Sequence, residues 1–217
     1  MLTQQDRTVP DCLAVLERIA PLGLRHIGFK DIGVEPAVLH ALHRAIKAQG
    51  AQSYLEVVAT SEAAALNSAR MGAKIGVDHL LGGTQAAETL EILAGTGIAY
   101  YPFPGLPTGH PTRLGGTPAL VEAQTSTFIA AGCAGGDLLS YRATEADPIA
   151  LVQAARRGCG ADGALICAGA VDRPARIAAL AQAGADGFTI GSAAFDGSFA
   201  PGAGDLPAQL AAILSCV

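Results

Sequence analysis

Three charged residues sit inside short apolar runs that read as strands, where an unpaired charge is costly to bury. Lys30 ends the run His26-Ile-Gly-Phe-Lys30-Asp31, Glu56 lies in Tyr54-Leu-Glu-Val-Val58, and Asp78 lies in Ile75-Gly-Val-Asp-His79. Lys30 is one of three lysines, and it alone falls at the C-terminal end of a strand; Lys47 falls on a helix and Lys74 at a strand start. Period-two alternation pairs Lys30 with Gly28 on one face, Glu56 with Tyr54, and Asp78 with Gly76; a slip of one residue turns His79 inward in place of Asp78. With those faces inward, the three charges come from adjacent strands. A lysine between carboxylates forms a Schiff base if its proton affinity is lowered, or clamps an enolate if it stays charged. A carboxylate beside a carbonyl moves the neighbouring proton. The expected roles are Lys30 to polarise the carbonyl or form an imine, Glu56 as base, and Asp78 to orient Lys30 or shuttle the proton. The structural alternative is an ion-paired plug.

Other polar residues fall near strand ends. Asp6 and Arg7 follow the first strand and are candidates to reach substrate. The sixth strand holds Asp137, Tyr141 and Arg142, and Arg142 is a candidate clamp for a carboxylate or second anion. His110 lies in a long loop, as an acid–base residue brought in by closure. His40 and His43 share a helix face at i, i+3 with no carboxylate beside them, which favours a packed or solvated pair over a metal site. No metal and no cofactor are expected.

The elements that position these residues alternate strictly. Strands are expected near Met1–Thr3, Leu24–Phe29, Ser53–Val58, Ile75–Leu80, Ile98–Pro102, Asp137–Tyr141, Ala164–Ala168 and Gly187–Ile190. Helical periodicity fits Asp11–Ala20, Pro36–Gln49, Ser61–Arg70, Gln85–Leu93, Pro118–Ala131, Pro148–Arg156, Pro174–Ala183 and Leu206–Leu214. Thr117-Pro118, Asp147-Pro148 and Glu35-Pro36 read as helix starts, and Gly23, Gly50, Gly72, Gly97, Gly132 and Gly184 as helix ends. Eight βα units imply a parallel sheet closed into a single (β/α)₈ barrel over residues 1–217. An open doubly wound sheet predicts a glycine-rich first turn, and Gln4-Gln5-Asp6-Arg7 is not one. The irregular, Pro- and Gly-rich stretch Phe103–Gly116 leaves the C-terminal end of the fifth strand, where catalytic loops of such barrels lie, and is a candidate lid.

The last two strands end in glycine: Leu165-Ile-Cys-Ala-Gly169 and Gly187-Phe-Thr-Ile-Gly191-Ser192. Glycine there lets backbone N–H groups approach a ligand, and Ser192–Phe195 suits a short extra helix. Ala168-Gly169, Ala183-Gly-Ala-Asp-Gly187 and Ile190-Gly-Ser-Ala193 resemble the phosphate-binding end of the ribulose-phosphate-binding barrels, which include the histidine- and tryptophan-pathway isomerases and the phosphosugar decarboxylases. The match covers about 35 residues, the rest only as architecture. The resemblance implies that Gly169, Gly191 and Ser192 hold a phosphate. It does not carry a mechanism. The decarboxylases have Asp-x-Lys-x-x-Asp on one strand, but here Gly28 precedes Phe29-Lys30 and Gly33 stands where the last Asp would fall. The histidine-pathway isomerases use an aspartate at the end of the first strand, but here Thr3 is followed by Gln4 and Gln5 before Asp6.

Composition bounds the rest. Among 217 residues half are apolar, 15% are charged, and the net charge is −5 with no basic block, which argues against nucleic acid and anionic membranes as partners. The five cysteines show no C-x-x-C spacing, as in a reducing compartment. With no long apolar run and a polar start at Met1–Arg7, a cytoplasmic location is expected. The start almost inside the first strand also suggests that a residue or two upstream is missing. The function expected is an enzyme on a small phosphorylated carbonyl compound, an isomerase or epimerase or an aldolase or decarboxylase. The alternatives are a non-catalytic phosphometabolite sensor on the same barrel, or a barrel that binds an unphosphorylated acid through Arg142. Apolar outer helices make a homo-oligomer possible.

Overall fold

A computed structural model describes residues 1–59 and 61–217. Its strands are β1 (Thr3–Gln4), β2 (Arg7–Thr8), β3 (His26–Lys30), β4 (Gln52–Val57), β5 (His79–Gly82), β6 (Ala99–Tyr101), β7 (Leu106–Thr108), β8 (Arg113–Gly115), β9 (Gly135–Leu138), β10 (Ala164–Cys167) and β11 (Gly187–Phe188). Its helices are α1 (Cys12–Ile19), α2 (Pro36–Ala48), α3 (Glu62–Ile75), α4 (Ala86–Leu93), α5 (Pro118–Ala131), α6 (Pro148–Cys159), α7 (Pro174–Ala183), α8 (Ser192–Phe195) and α9 (Leu206–Leu214). The chain is a (β/α)₈ barrel, with β1, β3, β4, β5, β6, β9, β10 and β11 as its staves.

Seven of the staves form two parallel sheets, β3-β4-β5-β6 and β9-β10-β11, while β1 pairs antiparallel with β2. Single backbone bonds bridge the seams between them. Ala134 N–H donates to Tyr100 O (2.9 Å) and Asp137 N–H to Pro102 O (3.0 Å). On the other side Leu2 N–H donates to Gly28 O (2.7 Å), and the Met1 amine to Ile190 O (2.8 Å). The outward strand residues pack on the helices. Phe29, Leu55, Leu80, Leu138 and Leu165 are shut from solvent, as are Leu39, Leu42 and Ile46 on α2 and Val121 on α5. Each such side chain contributes about 2 kcal/mol of burial.

Helix starts follow the capping chemistry. Thr117, Asp147 and Asp205 accept from the backbone N–H of Leu120, Ala150 and Ala208, each with proline in the first turn. Three expectations change. Helix α3 runs through Gly72 to Ile75 and ends at Gly76, whose left-handed φ of 80° terminates it. The fourth stave therefore starts at His79, later than expected. The sixth stave begins earlier, at Gly135: two glycines disfavour a strand locally, but a Cβ at Gly135 would collide with the Ala164 backbone, so only glycine fits. Residues 103–116 are a hairpin, β7 on β8, anchored by the buried Leu114 and by Gly105 N–H donating to Gln124 Oε1 (2.6 Å).

Candidate active site

Lys30 and Glu56 end adjacent staves in register, and the alternation turns both inward. Each is 5% exposed. Lys30 Nζ lies 2.9 Å from Asp6 Oδ1 and 3.0 Å from Glu56 Oε1. Asp6 is delivered by the tight turn between β1 and β2, where Gln5 and Asp6 adopt φ of 51° and 59°. Thr8 fixes this turn to the end of β3. Its hydroxyl accepts from Lys30 N–H and donates to Lys30 O, both at 2.8 Å. Arg142, on a single 3₁₀ turn (Ser140–Arg142) after β9, grips both oxygens of Asp6 at 2.6 Å. It also donates to Thr112 O at the hairpin tip (3.2 Å).

This network sets the protonation states. Burial lowers the proton affinity of Lys30, but Glu56 and Asp6 outweigh it and push the ammonium above its ordinary value. Burial likewise works against an ionised Asp6, yet Arg142 and Lys30 hold its carboxyl well below the usual carboxylate range. Asp137, on the inward face of β9, is fully buried, and burial and the charge of Glu56 raise its carboxyl well above that range. The sequence reading noted Asp137 on its strand but did not nominate it. Its signal was the same as for Lys30, a lone charge in an apolar stave.

One cavity of about 1180 Å³ opens above Lys30, Glu56, Asp6 and Arg142. Gly169, Gly191 and Ser192 line it too, on the loops after β10 and β11, as do His110 from the hairpin tip and Tyr141. The glycines are sterically required. Gly169 has φ 76° and lies against the Arg142 side chain, and a Cβ at Gly191 would collide with Thr3. Ser192 Oγ accepts from Gln5 N–H (3.2 Å), tying this loop to the turn that carries Asp6.

Two nominated residues fall elsewhere. Asp78 is not beside Lys30. It precedes β5 at the opposite end of the barrel, where it accepts from Lys47 Nζ (2.7 Å), Ser53 N–H (2.7 Å) and the Ser53 hydroxyl (3.0 Å). Because α3 extends to Ile75, the register shifts and His79, paired with Tyr54, faces inward instead. Arg7 is exposed and does not line the cavity, because alternation with the buried Thr8 on β2 turns it outward. Arg142 reaches the cavity, but with its guanidinium largely engaged by Asp6. His43 bonds Ser53 Oγ through Nδ1 (2.9 Å). Among the described residues no group of three or more His, Cys, Asp or Glu is placed to hold a metal ion, and no helix is long and apolar enough to cross a membrane.

No protein-family model matches the chain, and no curated protein does. Solved structures do. The native KDPGal structure superposes with a TM-score of 0.69 at 15% identity, over 98% of this chain and 93% of its own. A putative deoxyribose-phosphate aldolase from Coccidioides immitis gives 0.64 at 11%, over 87% and 78%. Orotidine 5'-phosphate decarboxylase from Pyrococcus horikoshii OT3 gives 0.62 at 12%, over 94% and 92%. At these identities the likeness is one of fold, and it places the chain among the (β/α)₈ barrels.

Proposed function

We propose that the chain is an enzyme that acts on a small phosphorylated carbonyl compound by proton transfer or C–C cleavage next to the carbonyl. The observation that carries this reading is the Lys30–Glu56 pair, buried at the C-terminal mouth, in one cavity with the glycine-ended loops of β10 and β11. Glu56 is the base. It takes the proton from the carbon beside the carbonyl, and the C–H electron pair moves to the carbonyl oxygen as an enolate. Lys30 is the cation that meets this oxygen. Its raised proton affinity favours the ammonium clamp over the imine. Asp6 holds Lys30 and Arg142 in place. Gly169, Gly191 and Ser192 hold the phosphate through backbone N–H groups and a hydroxyl. The hairpin at residues 103–116, with His110 at its tip, is the lid. Among reaction types, the names of two similar barrels, an aldolase and a decarboxylase, favour a lyase over an isomerase.

The test is thermal melting with a panel of sugar phosphates, their unphosphorylated parents and inorganic phosphate, followed by turnover assays on the best binders. A ligand at one hundred times its dissociation constant adds about 2.7 kcal/mol. Stabilisation by phosphorylated compounds alone, with turnover lost in Lys30→Ala and Glu56→Gln, is the expected result. Full turnover in both variants refutes the roles given to Lys30 and Glu56. Equal stabilisation by unphosphorylated acids refutes the phosphate site.

A further inference from the structure

The four charges at the mouth cancel, Lys30 and Arg142 against Asp6 and Glu56. Asp137 is a fifth ionisable group in the same interior. It shares the inward face of β9 with Gly135, while Gly136 between them faces Thr125 on α5. Its side chain is shut from solvent, and neither carboxyl oxygen has a hydrogen-bond partner among the described residues. Both cations are already engaged by Asp6 and Glu56. An ionised Asp137 is then an uncompensated buried charge beside a like one, the arrangement that costs most. Two carboxylates that feel each other's charge, with one of them denied hydrogen bonds, put the shared proton on the denied one.

We propose that Asp137 is a neutral carboxylic acid that keeps one spare proton within the barrel and serves as a positioning residue for Glu56. By carrying no charge it leaves Glu56 and Asp6 as the partners of Lys30, where an ionised Asp137 would compete with them for the ammonium. This rests on the reading of Glu56 as the base. Burial and the charge of Glu56 favour the protonated acid, and Lys30 and Arg142 oppose it only in part.

The test needs no substrate, so its failure is distinct from a failure to find phosphorylated ligands. Carboxyl-carbon NMR of the full chain, labelled at aspartate and assigned through the backbone, follows Asp137 as pH changes. The signal is expected in its protonated position at neutral pH, and its midpoint is expected to fall in Glu56→Gln, where the like charge is gone. A second readout is denaturant unfolding of Asp137→Asn against the wild type as a function of pH. A raised folded-state midpoint means that the wild type loses stability as pH rises from the unfolded Asp value, about 3.9, to the folded one. Asparagine is neutral throughout and escapes that loss. The variant's folding constant should therefore gain on the wild type about tenfold per pH unit in that window. Titration of Asp137 in the ordinary range, an unmoved midpoint in Glu56→Gln, or a variant-to-wild-type ratio flat in pH overturns the proposal. If Asp137→Asn does not fold, the titrations of the wild type and Glu56→Gln decide it.

Discussion

The two ends of the barrel are built by the same staves and do opposite things with polarity. At the C-terminal mouth, β3 and β4 present Lys30 and Glu56, locked with Asp6 and Arg142 into a buried, charge-balanced quartet. Four and two residues earlier the same strands present His26 and Tyr54. There His26 Nδ1 lies 2.9 Å from the Tyr54 hydroxyl, and the Tyr54 ring stacks on His79 at 4.1 Å. His79 Nε2 meets Gln52 Oε1 at 2.6 Å. Burial lowers the proton affinity of His79, and burial, aided by Tyr101 and Asp78, pushes the Tyr54 hydroxyl up to about 12. The ion pairs at this lower end, Asp78–Lys47 and Arg156–Asp186, are partly open to water. A charge on a strand is therefore a weak pointer to chemistry until its end and its face are known.

The sharpest way to break this comparison is to neutralise each end in turn. Glu56→Gln and Lys30→Ala are expected to cut turnover by about 10²- to 10⁴-fold, measured on the best substrate of the panel. Asp78→Asn is expected to leave turnover within about twofold, because its carboxylate serves only Lys47 and Ser53. A comparable loss from Asp78→Asn would erase the functional distinction between the ends.

Asp6 gives the next largest effect, on stability. Asp6→Asn leaves Lys30 and Arg142 short of a carboxylate and should cost about 3 kcal/mol near neutral pH, read by urea unfolding. The folded-state affinity of Asp6 for protons is depressed, so its contribution is present above the ordinary carboxylate range and fades as pH falls through and below it. The gap between wild type and variant should close in acid. A gap constant in pH would mean that the quartet is held by packing. Asp78→Asn, with Asp78 also depressed but its partner Lys47 43% exposed, should cost under about 1 kcal/mol and be screened by salt.

The smallest expected effect is a null one. Borohydride reduction with dihydroxyacetone phosphate or pyruvate should add no mass at Lys30, because an ammonium between two carboxylates is a poor imine former. A reduced adduct at Lys30 would move the site to imine chemistry while leaving the contrast between the two ends intact.

How much of this was legible in the sequence depends on which interactions are local. The βα alternation, the caps at Thr117 and Asp147, and the inward faces of Lys30 and Glu56 follow from period and capping chemistry, and the structure has them. The fourth stave was misplaced because Gly72 reads as a stop, yet its missing side chain lets α3 pack closely on Leu80 and Leu55. That slip put Asp78 on the wrong end. Asp137 was seen but not weighed, since its isolation exists only once charges from four chain segments are in place. The bond between Asp6 and Arg142 spans 136 residues, and no local pattern carries it.

The seams described in the fold have a further meaning. One sheet and its first turn supply Lys30, Glu56 and Asp6; the other supplies Arg142, Asp137, Gly169 and Gly191. Between them run scattered backbone bonds, the grip of Arg142 on Asp6 and Thr112, and the bonds of Gln5 to Ser192 and of Gly105 to Gln124. The molecule is in this sense two half-barrels, with the proposed reacting groups on one and the glycine-ended loops on the other. Neither half holds a complete site. The candidate site is complete only where the two halves meet, so a change that loosens a seam is expected to dilute the site without touching any residue in it.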